Sequence, residues 1–126
     1  MENSFFTRNS DYFYVVCRVI IGLMFLLHGI QKLPGVMSGS TPILSLMFLA
    51  AVIETIGAIL LILGLLIRPI ALIAAVEMIV AYFMVHAPNG LSPLVNKGEL
   101  AILFFAAFLV LLAYGAGRFS VDSMMK

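Results

Sequence analysis

The 126 residues are enough for one domain and too few for two ordinary ones. Apolar residues make up 63% and charged residues 10%, against about 45–50% and about 25% in soluble domains, so the composition is that of a membrane protein. A net charge of +1 gives no electrostatic reason to expect nucleic acid as a partner, and a single cysteine, Cys17, excludes an internal disulfide and a cysteine-based metal site.

Arg8 precedes the first apolar run, as it would in a signal peptide, but Arg18 interrupts that run and its length exceeds a signal h-region. The segment is therefore read as retained, with Cys17 as a small buried apolar residue. Crossing ~30 Å of hydrocarbon takes about 20 helical residues. Four segments qualify, at about 12–33, 43–66, 69–86 and 97–115. The breaks between them carry turn chemistry. LPGVMSGSTP (33–42) is a Gly/Ser/Pro loop in which Ser40 or Thr41 can cap the second helix and Pro42 suits its first turn. IRP (67–69) reads as a tight turn with Pro69 opening the third helix, and APNGLSPLVN (87–96) is the third break. The long apolar runs lack period-2 alternation, which excludes a transmembrane barrel.

The expected fold is all-α: residues 1–126 as a single membrane domain, an up-and-down four-helix bundle. An even number of spans puts both termini on one side. Arg8, Arg68, Arg118 and Lys126 fall there and Lys32 and Lys97 opposite, so the positive-inside bias makes that side cytoplasmic. Tyr12, Tyr14 and Tyr114 lie near the same face, as an aromatic belt would. A lipid bilayer is the first partner implied.

The chemistry of such a chain must lie in the few ionisable residues within its spans. Counting ~1.5 Å per residue from the cytoplasmic ends puts Arg18 ~9 Å deep, Glu77 ~12 Å, Glu54 ~18 Å, and His28, Glu99 and His86 at ~24–26 Å. Charges at such depths face the bundle interior, pair, or lose their charge. On the first helix Arg18, Gly22, Phe25, Gly29 and Lys32 share one stripe with His28 at its flank. On the second, Glu54, Gly57, Leu61, Gly64 and Arg68 do the same. Glycine faces let membrane helices approach closely, so the polar stripes point at neighbouring helices. Side chains lean toward a helix N-terminus, and on that ground Arg18 is expected to pair with Glu77. Glu54 is then a carboxylate without an assured cation, suited to proton exchange. The alternative reading is structural: Arg18–Glu77 as a register-fixing pair, and Lys32, Lys97 and Arg118 as interfacial side chains that snorkel. His28 and His86 read as hydrogen-bonded residues rather than haem ligands, and no metal site is expected.

RVIIGLMFLLHGIQK (18–32), ETIGAILLILGLLIR (54–68), NKGEL (96–100) and GAGRFSVD (115–122) resemble, in order, the motifs of the DoxX family of small bacterial and archaeal membrane proteins. The resemblance implies a four-helix inner-membrane protein tied to redox metabolism, at most a non-autonomous subunit of an oxidoreductase complex. Its motifs carry over Arg18, His28, Lys32, Glu54, Glu99 and, at the cytoplasmic end, Arg68, Arg118 and Asp122. Glu77 lies outside them and rests on the burial argument alone. One interhelical site holding Arg18, His28, Lys32, Glu54, Glu77 and Glu99 would suit a quinone headgroup, whose carbonyls accept hydrogen bonds while carboxylates exchange protons. Electrons would come from proteins of a membrane redox complex; further copies of the chain are the other partner implied. A small-solute or proton permease and a non-catalytic anchor or scaffold subunit are the alternatives that use the same charges.

Overall fold

In a computed structural model, residues 4–126 are described, and they are helical with no strand among them. Three helices are long and apolar enough to cross a membrane: α1 (Ser10–Ser38), α2 (Leu46–Leu63) and α3 (Ile67–Asn89). A fourth apolar helix, α4 (Glu99–Tyr114), has 16 residues and so reaches about 24 Å. Short helical turns at Phe5–Arg8, Pro93–Asn96 and Val121–Met124 flank these helices.

The breaks differ from the sequence expectation in instructive ways. The first helix runs through Pro34 to Ser38 and ends at Gly39, which adopts the left-handed conformation. The Gly35 carbonyl accepts from Thr41 N–H and from the hydroxyls of Ser38 and Ser40, so the Gly/Ser stretch caps this helix instead of starting the next. Ser45, not Ser40 or Thr41, caps α2, its hydroxyl accepting from Phe48 N–H. The turn between α2 and α3 lies at Gly64 and Leu66, both left-handed, and Pro69 sits within the first turn of α3 rather than opening it.

Both α2 and α3 contain a π-helical segment, Ile53–Gly57 and Tyr82–His86. α1 packs antiparallel on α2, and α3 on α4. Glycines set the first contact: a Cβ on Gly22 would fall 2.7 Å from the Ile62 side chain, and one on Gly29 would fall 2.7 Å from Thr55 N. The two pairs join through a core in which Phe25 meets Phe104 and Phe108, with Ala58, Leu61, Ile67, Ala71 and Ala74 around it.

The distribution of polarity is inverted relative to a soluble domain. Leu23, Met24, Leu27 and Ile30 on α1 and Leu72, Ile73 and Val76 on α3 are exposed, whereas Arg18 is 2% and Glu54 5% exposed. Apolar exteriors of this kind suit lipid contact, where no water is present to reward a polar surface. Cys17, expected to be buried, lies on this outer surface of α1, one position away from the inward stripe.

Candidate functional site

The expected single polar site is two separate centres. Lys32 lies roughly 21 Å along α1 from Arg18 at about 1.5 Å per residue, and the two cations have different partners.

At one end of the molecule Arg18 is not paired with Glu77. Its Nε donates to Leu61 O at 2.9 Å, its Nη2 to Ile62 O at 3.3 Å and its Nη1 to Ala116 O at 2.6 Å. Leu61 and Ile62 are in the last turn of α2, where helix carbonyls run short of donors, Leu61 O keeping only a long 3.3 Å bond from Gly64 N–H. A buried guanidinium with five donors satisfies several such acceptors at once, and helix-end carbonyls are the nearest ones in the direction Arg18 leans. Arg68 does the same for α4, donating to Leu112 O at 3.1 Å and Ala113 O at 3.2 Å. Tyr14, more than a belt residue, donates its hydroxyl to Gly115 O. The GAGRFSVD tail folds back on this end: Asp122 N–H donates to Gly64 O at 3.0 Å, and Ser120 caps the turn that follows. A Cβ on Gly64 would sit 2.4 Å from Ser120 Cβ, so glycine is required there by contact as well as by its φ of +76°. Asp122 lies within electrostatic reach of Arg18, while Arg118 is exposed over the Phe119 ring. This centre fastens chain ends, and its polar groups are largely occupied.

The second centre lies near the middle of α2 and α3 and in the C-terminal half of α1. Lys32 Nζ donates to Glu54 Oε2 at 2.7 Å, an ion pair whose side chains are 23% and 7% exposed. Glu54 therefore has a cation after all. The lean rule accounts for it: Lys32 leans toward the start of α1, Glu54 toward the start of α2, and on antiparallel helices these directions converge. Lys32 also reaches its own helix, 3.5 Å from His28 O. The π segment of α2 carries Glu54 and Thr55, both against α1 where Gly29 allows backbone approach. From α3, Glu77 faces Glu54 and Lys32. Both Glu77 carboxyl oxygens and Thr55 Oγ are fully buried with no hydrogen bond of acceptable geometry.

The structure thus brings together Lys32, Glu54 and Glu77, with Thr55, which the sequence reading passed over. It separates the remainder. His28 places its ring edge-on to Phe104 at 5.6 Å. Glu99 is exposed in the first turn of α4 and does not join the cluster. His86 Nδ1 lies 3.1 Å from Asn96 O, and buried Asn96 braces the loop by bonds to Tyr82, Gly90 and Gly98. Asn96 was legible only as part of NKGEL. One turn beyond Glu77, an apolar groove of about 260 Å³ opens between α3 and α4, lined by Met78, Ile79, Tyr82, Phe83, Ala101, Ile102 and Phe105.

Comparison with known proteins places these residues in a wider set. The DoxX family model matches residues 13–87, which include all of Lys32, Glu54, Thr55 and Glu77. A Haemophilus influenzae protein described as uncharacterized is 40% identical over 124 residues, covering 92% of each chain. A second protein of that organism, described in the same words, is 34% identical over 73 residues, 58% of this chain and 48% of its own. No solved structure matches.

Proposed function

The chain belongs to the DoxX family of membrane proteins, and from that premise we propose that it is a multi-pass inner-membrane subunit of a quinone-linked redox system. Four spans with both termini in the cytoplasm are part of this reading. α4 is short, but it lies antiparallel along α3, with Leu112 and Ala113 beside Arg68 at one end and Gly98 against Tyr82 at the other. Such a helix covers most of the thickness that α3 covers. The positive-inside argument also gains strength, because Lys32 is bound to Glu54 and leaves Lys97 as the loop cation on the opposite side.

The observation that carries the function is the unused polar capacity of the mid-membrane centre. Glu77 and Thr55 are buried without partners, and fully buried polar groups ordinarily have one. A quinone headgroup fits this chemistry. Its carbonyls accept from the Lys32 ammonium and the Thr55 hydroxyl, and the carboxyls exchange protons with its reduced form. The groove beyond Met78 gives an isoprenoid tail an apolar path between α3 and α4. Electrons are supplied by partner proteins of the complex.

The test is binding of a short-tailed quinone analogue to the purified protein in nanodiscs. Lys32→Met and Glu77→Gln are expected to weaken binding about tenfold or more, a change of ~1.4 kcal/mol, while Glu99→Gln leaves it unchanged. Wild type that binds no quinone but passes protons or a small solute through proteoliposomes, dependent on Glu77, would make the protein a permease. Neither activity, with loss of complex assembly alone, would make it a scaffold.

A further inference from the structure

The Lys32–Glu54–Glu77 centre contains two carboxyls and one cation, and among the described residues no other charge is placed to balance it. On α1, His28 contributes its backbone carbonyl to Lys32 and turns its ring to Phe104. Arg18, further along the same helix, is taken by three carbonyls at the end of the molecule. On α4, Glu99 is exposed at the helix start. On α2 and α3, the charged residues level with the centre are Glu54 and Glu77 themselves. Fully ionised, the centre would carry one net negative charge in hydrocarbon, with two carboxylates facing each other.

We propose that Glu54 and Glu77 hold one exchangeable proton between them, so that the centre is a neutral one-proton store in the middle of the membrane. Two observations and one rule of electrostatics carry this. Lys32 engages Glu54 Oε2 at 2.7 Å, so the one cation of the centre is held by one carboxyl and the other is left without one. Both Glu77 oxygens are sealed from solvent and receive no donor, an environment a carboxylic acid tolerates and a bare carboxylate does not. Facing like-charged groups in a low dielectric cannot both ionise, so a proton on Glu77 relieves the pair. The π segment is the local device that makes the arrangement possible. Its wider turn sets Glu54 and Thr55 against α1, where Gly29 has no side chain to hold the helices apart. Gain or loss of the proton moves the centre between neutral and singly negative, the charge change that proton exchange across hydrocarbon requires.

The store deepens the reading of this site given above, but its test uses no quinone, so the two can fail separately. Infrared spectroscopy of the protein in nanodiscs at neutral pH is expected to show one buried carboxylic-acid C=O band that shifts in D2O. Glu77→Gln should remove that band and Glu99→Gln should leave it. Glu54→Gln should also remove it, because Lys32 is then free to pair with an ionised Glu77. Lys32→Met should enlarge the band, both carboxyls having lost their cation. Absence of the band in wild type, or its survival in Glu77→Gln, would overturn the proposal. So would an unchanged band in Glu54→Gln, which would make Glu77 independent of its neighbour. Helical content by circular dichroism identifies any variant that fails to fold, and the wild-type spectrum stands without them.

Discussion

Arg18 and Lys32 sit on one stripe of one helix and have opposite kinds of partner, backbone carbonyls for the first and a carboxylate for the second. Removing the Arg18 guanidinium strands the Ile62 and Ala116 carbonyls and leaves Leu61 O only its long bond from Gly64 N–H, so Arg18→Met should destabilise the protein by about 3 kcal/mol or more in detergent unfolding. A double-mutant cycle separates the two roles. Lys32 and Glu54 should couple by roughly 1–3 kcal/mol, and Arg18 and Glu77 by less than about 0.5 kcal/mol. The residues that matter were visible in the sequence, because a charge inside an apolar run announces itself. Their pairing was not. Depth counting compared side chains only with side chains, and the nearest acceptors for Arg18 were the open carbonyls of a helix that Gly64 ends. The Lys32–Glu54 pair follows from the same lean rule, applied to a lysine that had been placed at the boundary.

Between elements, the decisive contact is the one where α1 meets the π segment of α2. A methyl group on Gly29 would lie 2.5 Å from Thr55 Oγ, 2.7 Å from Thr55 N and 2.8 Å from Glu54 C, and backbone atoms cannot swing aside. Gly29→Ala should therefore part the helices, weaken the Lys32–Glu54 pair and cost about 1–3 kcal/mol in stability. At Gly57 the nearest atom is a side-chain methyl group of Ile70 at 3.3 Å, so Gly57→Ala should stay within about 1 kcal/mol of wild type. Detergent-unfolding curves for the two variants check both expectations. The existence of the long helices was legible from apolar run length, and the glycine stripe correctly marked the close face. The π segments were hidden, since IETIG and YFMVH have ordinary helical spacing and the extra residue is accommodated only through tertiary contact. The helix boundary at Pro34 was misread for a related reason: hydroxyl donors on the Gly35 carbonyl close the helix four residues later.

For the molecule as a whole, the end that gathers Arg68, the α4 terminus and the tail is the one assigned to the cytoplasm. Cysteines placed at Ser38 or Asn89 should react with an impermeant thiol reagent in intact cells, and ones at Ser4 or Ser123 should react only after the membrane is opened. Cys17 must first be replaced, because it lies on the outer surface of α1. The reverse labelling pattern would invert the topology. Composition and run length alone carried the membrane assignment and the expected up-and-down course, whereas the close pairing of α1 with α2 and of α3 with α4 required the contacts themselves.

The bond from Arg18 to Ala116 joins residues 98 positions apart in a chain of 126. During synthesis the arginine enters the bilayer long before its last acceptor leaves the ribosome. Until then its guanidinium can bind only the end of α2, and the first two helices form an unfinished unit with a donor still open. The tail closes that donor when it folds back onto Gly64. Assembly is therefore ordered in time: the loop after α4, which carries Ala116, completes the coordination of Arg18 on the first helix.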